Sequence, residues 1–150
     1  MHGDRGEFPV TILDFKYVTG SGKNQTTHRQ SVVSFGLPGH HLPRFDLRPE
    51  GALAKIGSVF GFQDIDFAPD PTFSNRYLLQ GNDEAEIRQI FTTDVRRMLS
   101  TKANLSVEAG GERLIVYRAS TRVAPNDIVA FLGEATEIAS LFYRPDPKRQ

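Results

Sequence analysis

The sequence predicts an α+β fold: an antiparallel sheet of about five or six strands with two main amphipathic helices packed on one face. Three observations carry that expectation. Several short segments alternate apolar and polar residues, paired glycines stand between two of them, and two longer segments carry apolar residues at three- and four-residue spacing. Consecutive short strands joined by tight turns pair antiparallel, and helices with a single apolar stripe must bury it against one sheet face.

The first strand runs from Pro9 to Tyr17, where Thr11, Leu13, Phe15 and Tyr17 share one side and Asp14 and Lys16 the other. After the Gly- and Ser-rich stretch 19–27, Val33, Phe35 and Leu37 alternate again, which predicts a hairpin with a long, mobile loop. Glycines and prolines break the chain around His40 and His41. Phe45 and Leu47 then alternate with Arg44, Asp46 and Arg48 as a third strand. Leu53, Ile56 and Phe60 have helical spacing, but Gly51, Gly57 and Gly61 each weaken a helix by about 1 kcal/mol relative to Ala.

From Gln63 to Ser74 the chain reads as a covering loop, with Ile65 and Phe67 against Asp64 and Asp66, and with Pro69 and Pro71 interrupting regular structure. Arg76 to Gln80 is a further strand. One helix is expected from about Asp83 to Leu99, with Ile87, Ile90, Phe91, Val95, Met98 and Leu99 as its stripe. Asp83 and Glu86 fit its N-terminal cap, and Arg96 and Arg97 its negative end. Leu105–Ala109 and Arg113–Tyr117 form a hairpin around Gly110 and Gly111, since glycine supplies the positive φ of tight turns. Pro125 opens the second helix, striped by Ile128, Phe131, Leu132, Ala135, Ile138, Ala139 and Phe142, and Pro145 ends it.

The 150 residues suit a single α+β domain over 1–150, with flexible termini at about 1–7 and 145–150. With no cysteine there is no disulfide framework, thiolate metal site or thiol nucleophile. Eighteen basic and eighteen acidic residues balance, so no net positive field favours nucleic acid. No apolar run is long enough for a signal peptide or a membrane span. The composition therefore predicts a soluble cytoplasmic protein that neither binds nucleic acid nor inserts into a membrane.

Candidate chemistry is sparse. Gly20-Ser21-Gly22-Lys23 invites a phosphate-loop reading, but Tyr17 and Asn24 stand where such a loop needs Gly and Ser or Thr, and a strand follows instead of a helix. A solvated hairpin tip is the plainer reading. His40 and His41 could join Asp64 and Asp66 as nitrogen and oxygen ligands to a metal, although adjacent loop histidines share no helical face that would aim both rings at one ion. Asp64 and Asp66 could also act as a carboxylate pair, or simply form the wet side of a half-buried segment. Ser21, Ser31 and Ser34 sit in no nucleophile-elbow pattern. Arg48, in Leu47-Arg48-Pro49-Glu50, could capture a carboxylate ligand or form a strand-end ion pair, and Arg113, Arg118 and Arg122 read as solvated residues.

Thr19-Gly20-Ser21-Gly22-Lys23-Asn24, Leu47-Arg48-Pro49-Glu50, Ile65-Asp66-Phe67, Phe73-Ser74 and the stretch from Tyr77 to Gly81 together resemble a family of uncharacterised bacterial proteins over most of the chain. The resemblance implies a domain that can follow an extra N-terminal segment or hydrophobic spans, brings no agreed activity, and so transfers no catalytic residue. Because this chain reaches its first strand almost at once, the resemblance also implies an open sheet edge that invites strand addition. The expectation is a noncatalytic binding or protein-interaction domain with no cofactor, acting on a protein partner or on itself through a sheet edge. The alternative is a small metal-assisted hydrolase built on the loop His and Asp residues.

Overall fold

The computed structural model describes residues 2–5, 8–50 and 63–143. The weak helical spacing at Leu53, Ile56 and Phe60, residues 1, 6 and 7, and the C-terminal segment 145–150 lie outside the described residues. The strands are β1 (His2–Arg5), β2 (Phe8–Thr19), β3 (Thr26–Gly36), β4 (Leu42–Pro49), β5 (Gln63–Asp64), β6 (Tyr77–Gly81), β7 (Ser106–Gly111) and β8 (Arg113–Tyr117). The helices are α1 (Pro71–Arg76), α2 (Glu84–Ile90), α3 (Thr93–Ser100) and α4 (Ile128–Phe142).

All strand pairs are antiparallel, in an eight-stranded sheet of order β1-β2-β3-β8-β7-β4-β6-β5. The α+β class and the antiparallel sheet are as expected. The two strands beyond the expected six are β1 and β5, edge strands of four and two residues that are too short to carry an alternation pattern.

Two rungs across the sheet define its buried face. One runs Val10, Phe35, Leu114, Ala109, Phe45, Gly81, and the next runs Ile12, Val33, Val116, Val107, Leu47, Leu79. Residues directly opposite one another point to the same side, so these rungs form one continuous apolar floor. The helices lie on that floor. Phe91 of the α2–α3 junction meets Phe45 edge-on at 5.0 Å and Phe142 of α4 at 5.3 Å, and Phe73 of α1 lies 6.2 Å away. Burial of these aromatics supplies a large share of the apolar area removed from water.

The continuous helix expected over Asp83–Leu99 is two helices. Ile87, Phe91, Val95 and Leu99 are all buried, so the stripe is as the spacing implies. Continuity fails at Phe91, whose φ of −87° and ψ of 65° leave the helical region. Thr92 then caps α3, its hydroxyl accepting from the Val95 N–H at 3.3 Å. Arg96 holds the break in place by donating to the Phe91 carbonyl at 2.6 Å and to Asp70 at 2.9 Å. The Asp83 cap does form, accepting from the Glu86 N–H at 3.0 Å.

The covering loop expected over Gln63–Ser74 contains β5 and ends in α1. Pro71 stands at the first helical position, where its missing N–H costs nothing, and Asp70 caps the turn by accepting from the Phe73 N–H at 3.2 Å. The β7–β8 hairpin forms as expected, with Gly111 at φ +62°. Among the described residues no helix is long and apolar enough to cross a membrane.

Candidate functional site

The histidines and aspartates with metal-ligand chemistry are not gathered. His40 leans on Tyr143 after the end of α4, with ring centroids 4.3 Å apart. His41 lines an open concavity of about 510 Å³ with Arg44, Asn82, Asp83 and Glu86. Asp64 lies at the β5 edge and accepts a hydrogen bond from Gln80 Nε2 at 2.5 Å, and Asp66 is exposed. Among the described residues no three His, Asp or Glu side chains stand together as a cation would need.

Arg48, Ser31, Arg118 and Arg122 have structural partners. Arg48 is not an exposed strand-end pair: it donates from Nη2 to Gln80 Oε1 at 2.7 Å and lies 4.0 Å from Asp46, both carboxylate and guanidinium being mostly buried. Ser31 donates to Asp14 at 2.7 Å and accepts from the Val123 N–H at 2.9 Å, which commits its hydroxyl. Arg118, expected as solvated, is half-buried and paired with Glu134 at 2.6 Å, whereas Arg122 is exposed as expected and also meets Asp14 at 2.9 Å. Gly20 and Gly22 adopt φ of +87° and +60° and build the short 3-10 turn Gly22–Asn24 that closes the β2–β3 hairpin. In that turn Lys23 is an exposed residue of a hairpin tip.

The feature that stands out is the outer half of the β2–β3 hairpin. The apolar floor stops at the Ile12–Val33 rung, because β8 ends at Tyr117, opposite Val32. The next rungs on the same face are Asp14–Ser31, Lys16–Arg29 and Val18–Thr27. On the opposite face lie Leu13, Phe15 and Tyr17. Leu13, Phe15 and Val18 are 50%, 53% and 51% exposed, whereas almost every other large apolar side chain described is buried or half-buried. Tyr17 stacks on His28 at 4.7 Å, and His28 bridges Thr19 and Ser120 through its two ring nitrogens, each contact 2.8 Å.

A strap holds this projection to the body. The segment after β8 runs along β3: the Ser31 N–H donates to the Thr121 carbonyl at 2.9 Å, and the Ser120 N–H to Gln30 Oε1 at 3.2 Å. Asp14 is the junction. The Ser31 hydroxyl first, and the Arg122 guanidinium with it, hold its carboxyl below the usual carboxylate range. The strap flanks β3, while β1 covers the outer edge of β2 only along Phe8–Thr11. From Leu13 to Thr19 no strand among the described residues pairs with that edge.

The sequence pointed to an open sheet edge but not to these residues, because the alternation places Leu13 and Phe15 on one side of the strand without saying whether that side is covered. The signal was present in Asp14 and Lys16, which continue the face of Val10 and Ile12 and show that face turning polar.

No protein-family model matches the chain, and no curated protein matches it. Among solved structures it is similar to the crystal structure of the mycobacterial trehalose monomycolate transport factor A, TtfA, with a TM-score of 0.58 and 11% identity, covering 98% of this chain and 83% of that one. At that identity the likeness is one of fold.

Proposed function

We infer that this chain is a noncatalytic binding domain whose working surface is the outer half of the β2–β3 hairpin. The supporting observation is the exposure of Leu13, Phe15 and Val18 beside an edge of β2 that no strand covers among the described residues. Exposed apolar side chains next to unpaired ladder groups are a costly combination for a strand with no partner, and they are what strand-adding recognition uses. The strap through Asp14, Ser31 and Arg122 keeps the projecting strands in register without adding apolar cover. TtfA, which shares the fold, is called a transport factor, a description that names no covalent chemistry. The metal-assisted alternative has no gathered ligands in its favour among the described residues.

The test is to replace Phe15 by a photoreactive benzoylphenylalanine in cells that make the protein, with Val129, an exposed residue of α4, as the control position. Adducts at position 15 and none at position 129 are expected, and Leu13→Ser should weaken them while leaving the melting temperature unchanged. Equal labelling at both positions would remove the reading.

A further inference from the structure

Beyond its apolar side chains, the edge of β2 that no strand pairs with among the described residues carries a specific charge arrangement. Lys16 lies at the middle of the stretch Leu13–Thr19 and pairs across the ladder with Arg29. Like charges directly opposite one another in a sheet repel, and neither residue has an ion-pair partner among the described residues. The one acid on this stretch, Asp14, is already neutralised by Arg122. What remains at the edge is therefore an unbalanced pair of cations on one face and Leu13, Phe15 and Tyr17 on the other.

Resting on the binding-surface reading above, we propose that the β2 edge takes up an extended acidic segment of another polypeptide as an added strand. Its backbone pairs with Leu13–Thr19, a carboxylate on one side meets Lys16 and Arg29, and apolar side chains on the other side lie against Leu13 and Phe15. The alternation of a strand supplies both sets of contacts at once, since successive side chains point to opposite faces.

Two other occupants fit less well. A second copy pairing antiparallel over the same free stretch sets Lys16 against its own symmetry copy, a like-charge contact at the centre of the interface. A lipid surface would attract Lys16, Lys23 and Arg29, but it leaves the row of N–H and C=O groups along β2 unsatisfied in an apolar medium.

The experiment is fluorescence anisotropy with three labelled peptides: Val-Thr-Val-Glu-Val-Thr-Val, whose Glu falls opposite Lys16 when it pairs along Leu13–Thr19, the same peptide with Lys for Glu, and the acidic peptide with Pro at its third position. The acidic peptide should bind at least about tenfold more tightly than the basic one. The Pro peptide, which cannot complete the ladder, should lose that binding. Lys16→Glu, checked for an unchanged melting temperature, should abolish the preference, because the new carboxylate balances Arg29 across the ladder. Equal affinity for the two charged peptides overturns the proposal, as does no binding of either. So does a dimer by light scattering, or uptake by phosphatidylglycerol vesicles in place of peptide. Loss of the charge preference with position-15 adducts retained removes the acidic strand but leaves the surface standing, whereas loss of both removes the surface itself.

Discussion

The two ends of the longest hairpin in this sheet are built from the same two strands yet live in different environments. At the inner end Val10 and Ile12 face Phe35 and Val33 and complete the apolar floor under the helices. At the outer end the same face carries Asp14, Lys16 and Val18 opposite Ser31, Arg29 and Thr27. The difference is neighbours. β8 flanks β3 only as far as Val32, and among the described residues no side chain of the rungs beyond it belongs to the apolar core. A strand pair contributes to stability through what covers its faces, so the inner end holds the fold together and the outer end adds little to it.

The comparison sets a scale for substitutions. The largest loss should come from Phe91→Ala, because Phe91 joins α2 to Phe45 of the sheet and Phe142 of α4. A cost of about 3–5 kcal/mol in urea unfolding is expected. Gly81→Ala should cost about 1–3 kcal/mol, since a Cβ there would overlap Ile87 and come 2.9 Å from the Arg44 carbonyl oxygen, which cannot swing away. Removing the hydroxyl that starts α3, Thr92→Ala, should cost about 1 kcal/mol by the same assay.

Acid should loosen contacts at both sites where a carboxylate anchors an arginine. Asp14 is held below its ordinary value of 3.8 by the Ser31 hydroxyl and then Arg122, and Asp70 by Arg96 and then the Phe73 N–H. A carboxyl whose folded value is depressed stabilises the fold fully above its unfolded value and loses that contribution as pH falls through the folded one. Stability should therefore decline from roughly pH 4 downward. The Asp14→Asn variant should show faster amide exchange in the outer hairpin at neutral pH with no change under the helices. Uniform acceleration across the sheet would contradict the division into two ends.

The parts of the fold that could be read from sequence were those set by local periodicity and turn chemistry. The β7–β8 hairpin followed from Gly110 and Gly111, and the α4 stripe from the spacing of Phe131, Ala135, Ile138 and Phe142. What escaped were choices that depend on contacts distant in sequence. Phe91 leaves the helix where Arg96 and Thr92 offer better partners to the backbone, and Pro71 starts a helix because Asp70 caps it. The exposure of the outer hairpin escaped for a related reason. Leu13 and Phe15 alternate like core residues, and only the early end of β8 leaves them uncovered. The His40, His41, Asp64 and Asp66 set illustrates the converse, residue types that suit an ion but that the strand order keeps apart.

Side chains that stand in solvent contribute nothing substantial to folding, and urea unfolding of the Leu13→Ser, Phe15→Ser double variant measures what these two contribute. The expected free energy of unfolding lies within about 0.5 kcal/mol per substitution of the parent, as for surface positions. A loss of about 3 kcal/mol or more, the scale of a large buried side chain, would place those residues in the core and contradict it.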